Sequence, residues 1–482
     1  MNLTRQQFAA GLALAAADPR GLYRLIDRRA HKPVRSSSSA PPPREQHLLR
    51  DLTVIREDGV EVIVPPLHHR AVTARVEVTA GRGDLHDART SLEQALAALE
   101  RDFPASPKGL AVTVAWGLPY FRRLVPSQSR RLLPVDARAS TARGRTVRVL
   151  EDTERFPSDP MRLLLEQNDV AVLLRSDDLD AIDDGQRRLT SELRGLFSVT
   201  SVRSGFIGGG FAGETSLLKR MAVDGRIVGA DRIPDTAELF LGFTSTVKQA
   251  LGPPRIANLE TLGYAKLADP YFVGGTHMHL SHLFENLNEW YLNFDHAERA
   301  AAMFRPGIKV DHDAQTVRQS ASDAQSSTQL QADYVRHGRI GHAGSIQSAS
   351  RLQHDVVGRD GTVYRKGTAV PQRADFNTLD NPFAWSARRN RDRMQNEAAA
   401  GMHFVVFNPT ADDFRRVRLA MDGILPNGVN FGFPRRSNVD PSAASPALVG
   451  QGINSVFHAT HRQNFLVPPR SHRSFPLSEL RR

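Results

Sequence analysis

Residues 73–79, TARVEVT, alternate apolar and polar side chains as a half-buried strand does. Across 87–103, Leu92, Leu96, Leu99 and Phe103 recur at steps of four, three and four, and Pro104 follows. That spacing predicts an amphipathic helix. LAVTVAWG (110–117) reads as a second strand. After a less regular stretch, DVAVLLRSD (169–177) reads as a strand, 178–197 as a helix and SVTSVRSGF (198–206) as a strand. The order β-α-β, β-α-β is the split pattern of a ferredoxin-like unit, an antiparallel sheet with two helices on one face.

The pattern recurs downstream. YFVGGTHMHL (271–280) is strand-like, and Leu283, Leu287, Trp290 and Phe294 at helical spacing predict a helix from about Ser281. Asp295 with Glu298 three residues on marks a helix start with a capping box. MHFVVFNPT (402–410) reads as a strand and 411–423 as a helix, with Thr410 as its cap. The fold class expected is α+β, two ferredoxin-like units in tandem, of the dimeric α/β-barrel type. The boundaries expected are a basic segment with linker at 1–50, a first unit at 51–215, a second at 216–430 and a basic tail at 431–482. The serine- and proline-rich run 36–46 is the linker, and the polar stretch 311–340 reads as a surface insert.

Composition narrows the chemistry. The absence of cysteine excludes disulfides, thiolate metal sites and thiol nucleophiles. The net charge of +11 is confined to the ends: residues 1–50 hold nine Lys/Arg against three Asp/Glu, and 431–482 hold seven against two. Basic ends on a neutral body suit loose contact with anionic surfaces; no nucleic-acid partner is expected. No run approaches the ~20 apolar residues of a membrane span. The N-terminus resembles a degenerate twin-arginine export signal, with Gln6 beside the lone Arg5. A cytoplasmic location is expected, with export through that segment as the alternative.

Two stretches invite a metal or phosphate reading. His277 and His279 lie two apart and so share a strand face, with Glu285 downstream as a third donor for a non-haem metal site. The spacing to Glu285 departs from the cupin pattern, and buried strand histidines are the simpler reading. SGFIGGGFAGET (204–215) lacks the Gly-Lys-Ser/Thr ending of a phosphate loop and reads as the exit from the first unit. GRDGTVYRKG (358–367) reads as a hairpin around Asp360-Gly361.

Taken in order, these landmarks resemble the dye-decolourising peroxidases, haem proteins of the chlorite dismutase-like superfamily. TVAWGLPYFRRL (113–124), ELFLGFTSTVKQ (238–249), YFVGGTHMHLSHLFENLNEW, RIGHAGSIQ (339–347), TVYRKG (362–367) and MHFVVFNPTADDFRRV carry the resemblance, which runs from about 69 to 425. It implies haem b as cofactor, His342 as axial ligand to the iron and Arg365 on the distal side. Hydrogen peroxide and a small-molecule reductant are the implied partners, and a homo-oligomer the implied assembly. One departure stands out: Ser245 falls where the family's distal aspartate belongs. A carboxylate can relay the proton of peroxide, whereas a hydroxyl is a very poor base. A non-catalytic protein binding a ligand or partner on the same fold is the alternative this leaves open.

Overall fold

The computed structural model describes residues 23–24, 26–28, 44–57, 60–104, 106–208, 215–243, 270–311, 316–317, 325–357, 363–380 and 399–481. The first unit runs β1 (His68–Val76), α1 (Arg82–Asp102), β2 (Ala111–Gly117), α2 (Leu118–Arg123), α3 (Pro126–Leu132), α4 (Ala137–Arg143), β3 (Val170–Ser176), α5 (Leu179–Glu192) and β4 (Phe197–Phe206). Its strands pair antiparallel in the order β4-β1-β3-β2. The second unit runs β5 (Thr276–Glu285), α6 (His296–Met303), α7 (Ser327–His337), α8 (His342–Ser350), β6 (Phe376–Asp380), β7 (Ala399–Asn408), α9 (Ala411–Met421) and β8 (Phe457–Val467). Its order is β8-β5-β7-β6, which repeats the first when each unit's strands are counted in sequence.

The two sheets close on each other. Asn377 of β6 pairs with Phe206 of β4, and Phe465 and Leu466 of β8 pair with Gly117 and Trp116 of β2. Each of the eight strands therefore has two neighbours, and no edge is left in the ring. Ala71, Ala115, Leu173, Met278, Leu280 and Phe407 fill the interior together. The alternate residues face the helices: Leu85, Leu92, Leu96 and Leu99 of α1 pack on Val114, Val170 and Leu174. The register His403↔His282↔His461 sets three buried histidines abreast on adjacent strands. His282 and His461 both share the hydroxyl of Thr460, at 2.6 and 3.0 Å.

Three expectations need correction. The helix foreseen from Ser281 starts later: β5 continues to Glu285, and the helical turns run only over 287–293. Residues 431–482 are not a tail. They supply β8, and beyond it Arg473 is buried with its guanidinium on Glu93 (2.8 Å) and Glu100, while Phe475 packs against Trp116 and Tyr120. The second unit therefore extends past 430 to Val467. The polar stretch 311–340 is not all surface loop, since it contains α7, whose Leu330 is buried.

At the other end, Gln46 is no linker residue. Its side chain bonds Val114 on both its amide groups (2.9 and 3.0 Å) and also reaches the Pro468 carbonyl (2.8 Å). It stitches β2 to the residue after β8. The twin-arginine-like segment at 1–22, most of the serine-proline run, and the 209–214 part of the glycine-rich exit lie outside the described residues. Among the described residues no helix is long and apolar enough to cross a membrane.

Candidate functional site

His342 opens α8, and its backbone is closely packed. Gly341 precedes it, and a Cβ on Gly341 would stand 2.2 Å from the Phe304 carbonyl oxygen. That same carbonyl accepts from the Gly344 amide at 2.9 Å. Gly452, at φ +52°, lies against the His342 backbone, and a Cβ there would come within 3.1 Å of its amide nitrogen. Only glycine admits both approaches. The chain around Gly452 is tied in by its amide on the Ile340 carbonyl, 2.9 Å.

The imidazole held this way is neutral. Burial lowers its pKa to about 4, and the charges of Arg418 and Arg373 push the same way. Its Nδ1 is enclosed and finds no hydrogen-bond partner among the described residues. A neutral imidazole is the form in which histidine ligates a metal.

Arg365 sits just after the short hairpin Val356–Val357/Val363–Tyr364, largely exposed, and its guanidinium is paired with Asp355 at 2.5 Å. The arginines whose charge reaches the imidazole are Arg373 and Arg418. Arg418 on α9 is committed to Asp422 (3.0 Å) and Asp159 (3.2 Å). Asp159 also takes both nitrogens of buried Arg462, at 2.5 and 3.0 Å. Burial opposes the Asp159 charge, but Arg462 and Arg418 hold its pKa down at about 2. Arg373, half-exposed in the strand Gln372–Arg373, has a looser ion pair with Asp375, 3.5 Å. Sequence reasoning missed it; an Arg-x-Asp beside a short strand was its only local sign. Ser245 lies outside the described residues.

The histidine strand is not brought together as a metal site. His279 spends Nδ1 on Asn464 (2.7 Å) and Nε2 on Ser281 (2.6 Å), and its ring stacks on Phe414. Glu285 is six residues further along the same strand, about 20 Å at strand rise. His277 is buried and held neutral at about 4. Among the described residues no group of three or more His, Asp or Glu is placed to hold a metal ion.

Fold and site together define an α+β protein built as a closed antiparallel ring of two ferredoxin-like units, with a glycine-gripped histidine on the second. Residues 66–469 match the model of a family of unknown function, DUF7405, and the chain belongs to that family. No curated protein matches it. Among solved structures it is similar to a DyP-type peroxidase from Cellulomonas bogoriensis, at 18% identity and TM-score 0.46, covering 84% of this chain and 90% of that one. It is similar also to DyPB from Rhodococcus jostii RHA1 (14%, TM-score 0.43, 86% and 96% covered) and to a dye-decolorizing protein from V. cholerae (13%, TM-score 0.40, 85% and 96%).

Proposed function

We propose that this chain binds haem b through His342 and acts as a peroxidase-like oxidoreductase with a weakened distal site. The observation that carries the reading is the His342 imidazole: neutral, enclosed at Nδ1 and set on a backbone packed closely against Gly452. The ordered motifs of the sequence support it, because the same histidine is the one their resemblance marks as the axial ligand. The donor set fits the group, since a neutral imidazole is a haem-iron ligand. When bound, haem would supply iron-centred redox chemistry toward hydrogen peroxide, with a small-molecule reductant as the electron source.

The chain's own residues set how well that chemistry runs. His342 presents an unprotonated nitrogen at every pH above about 5, because burial and two arginines oppose its charge. Arg373, one of the two arginines whose charge reaches the imidazole, pairs with Asp375 at 3.5 Å. It takes the electrostatic role that the resemblance gave to Arg365, holding negative charge that develops on an oxygen. A serine hydroxyl at 245 can donate a hydrogen bond but moves a proton poorly at neutral pH. Slow turnover of peroxide follows, and Ser245→Asp is expected to speed the reaction.

Titration of the full chain with haemin tests the reading. One haem per chain with a sharp Soret band is expected. A chain that takes up none leaves the alternative, a non-catalytic binding protein on this fold, which Ser245 at the distal position favours.

A further inference from the structure

We propose that the cleft between the α2–α4 excursion and the start of α9 binds a small organic anion with a flat apolar body, at a site separate from His342. The cleft has a volume of about 510 Å3, within the range of small-molecule sites. Its floor is apolar and partly aromatic, with Leu118, Leu150, Phe156 and Phe414. Its rim is cationic: six arginines face three carboxylates.

The pairing within the rim leaves charge over. Arg122 is paired with Asp152 (2.6 Å) and Arg415 with Glu154 (2.6 Å). Glu151 is shared between Arg143 (2.7 Å) and Arg145 (3.2 Å), and Arg143 also pairs with Asp412. Arg130 and Arg148 have no carboxylate partner among the described residues. Arg148 is half-buried and gives its nitrogens to the carbonyl oxygens of Leu133 and Arg130. Carbonyls satisfy its donors without neutralising its charge, and a half-buried charge without a counter-ion is costly. An anion in the cleft completes that balance. An inorganic ion would leave most of the volume and the aromatic floor unused, so the apolar body is part of the fit. Guanidinium forks suit carboxylate, sulfonate and phosphate groups alike.

The test uses the full chain and the fluorescent anion 1-anilinonaphthalene-8-sulfonate, with uncharged N-phenyl-1-naphthylamine as its counterpart. Saturable binding of the anion is expected, with the uncharged probe at least about tenfold weaker, as loss of a charge-assisted hydrogen bond implies. Arg130→Glu is expected to weaken the anion by about tenfold or more, and Arg130→Lys to retain most of the binding. Arg130 and Arg145 are exposed, so Arg145→Glu serves as a second reversal that does not disturb the core. Equal affinity for the two probes, or anion binding unchanged in both Glu variants, would overturn the proposal. Because His342 is not among the lining residues, failure here leaves the haem reading standing.

Discussion

Burial fixes the protonation of the interior histidines. His47 and His69 are held at about 3, and His277 and His342 at about 4, with burial the largest cause each time. His279 and His403 are pushed well below 6.5 for the same reason. Their folded pKa values lie below the unfolded value of about 6.5. The unfolded chain therefore binds more protons as pH falls, and the stability these residues lend is complete above about 6.5 and lost toward 4 and 3. Each one contributes up to about 1.4 kcal/mol per pH unit in that window. The thermal midpoint is expected to drop steeply between pH 7 and 5. A flat or rising midpoint over that range would contradict the buried, neutral assignment. The ion pair at Asp159 gives a second expectation at this scale. Asp159→Asn leaves buried Arg462 without its counter-charge, so a loss of about 3–5 kcal/mol is expected in denaturant unfolding. A loss under about 1 kcal/mol would mean that Arg462 reaches solvent.

Elements with one apolar face and a clean start were legible in the sequence. The capping box at Asp295 and Glu298 is formed on both sides, at 2.8 and 2.9 Å, where the residue types placed it. The strands of the first unit and α9 also fall where periodicity put them. The reading failed where both faces of a strand are buried. In β5, polar Ser281 and His282 sit inside as fully as Met278 and Leu280, so alternation vanishes, and Leu283, at helical spacing from Leu287 and Trp290 of the turns that follow, draws the helix start back into the strand. In β8, FHATHRQNFLV looks like a solvated segment because Arg462, Gln463 and Asn464 are polar. All three are buried and bonded to partners far along the chain, which no local pattern reveals. The closure between β2 and β8 is sterically tight. A Cβ at Gly117 would stand 2.1 Å from the Asn168 carbonyl and 2.7 Å from the Gln463 amide nitrogen. Gly117→Ala is expected to cost about 3 kcal/mol or more, measured by the same unfolding experiment. A near-neutral effect would show that the junction is loose.

At the scale of the whole molecule, ring closure makes the last strand indispensable. β8 fills the place between β5 and β2, so a chain ending at Val456 exposes two strand edges and the inner face between them. Such a chain is expected to lose cooperative melting, and a sharp transition near that of the full chain would contradict the closed ring. The tandem architecture was readable because each unit repeats one pattern. The composition of the site was only half readable. His342 stands between glycines in a short motif, whereas Arg373 is brought near it by the pairing of its strand with β7, some thirty residues on. Arg365, the distal arginine that the resemblance implies, lies exposed after its hairpin and pairs with Asp355. The central claim is that His342 holds haem, and the most direct measurement is the Soret spectrum of haemin-loaded wild type beside His342→Gly with and without added imidazole. Haem held by His342 predicts a Soret band in wild type, its loss in His342→Gly and its return with imidazole, while the melting midpoint changes little. An unchanged band in the variant, or no band in wild type, would contradict it.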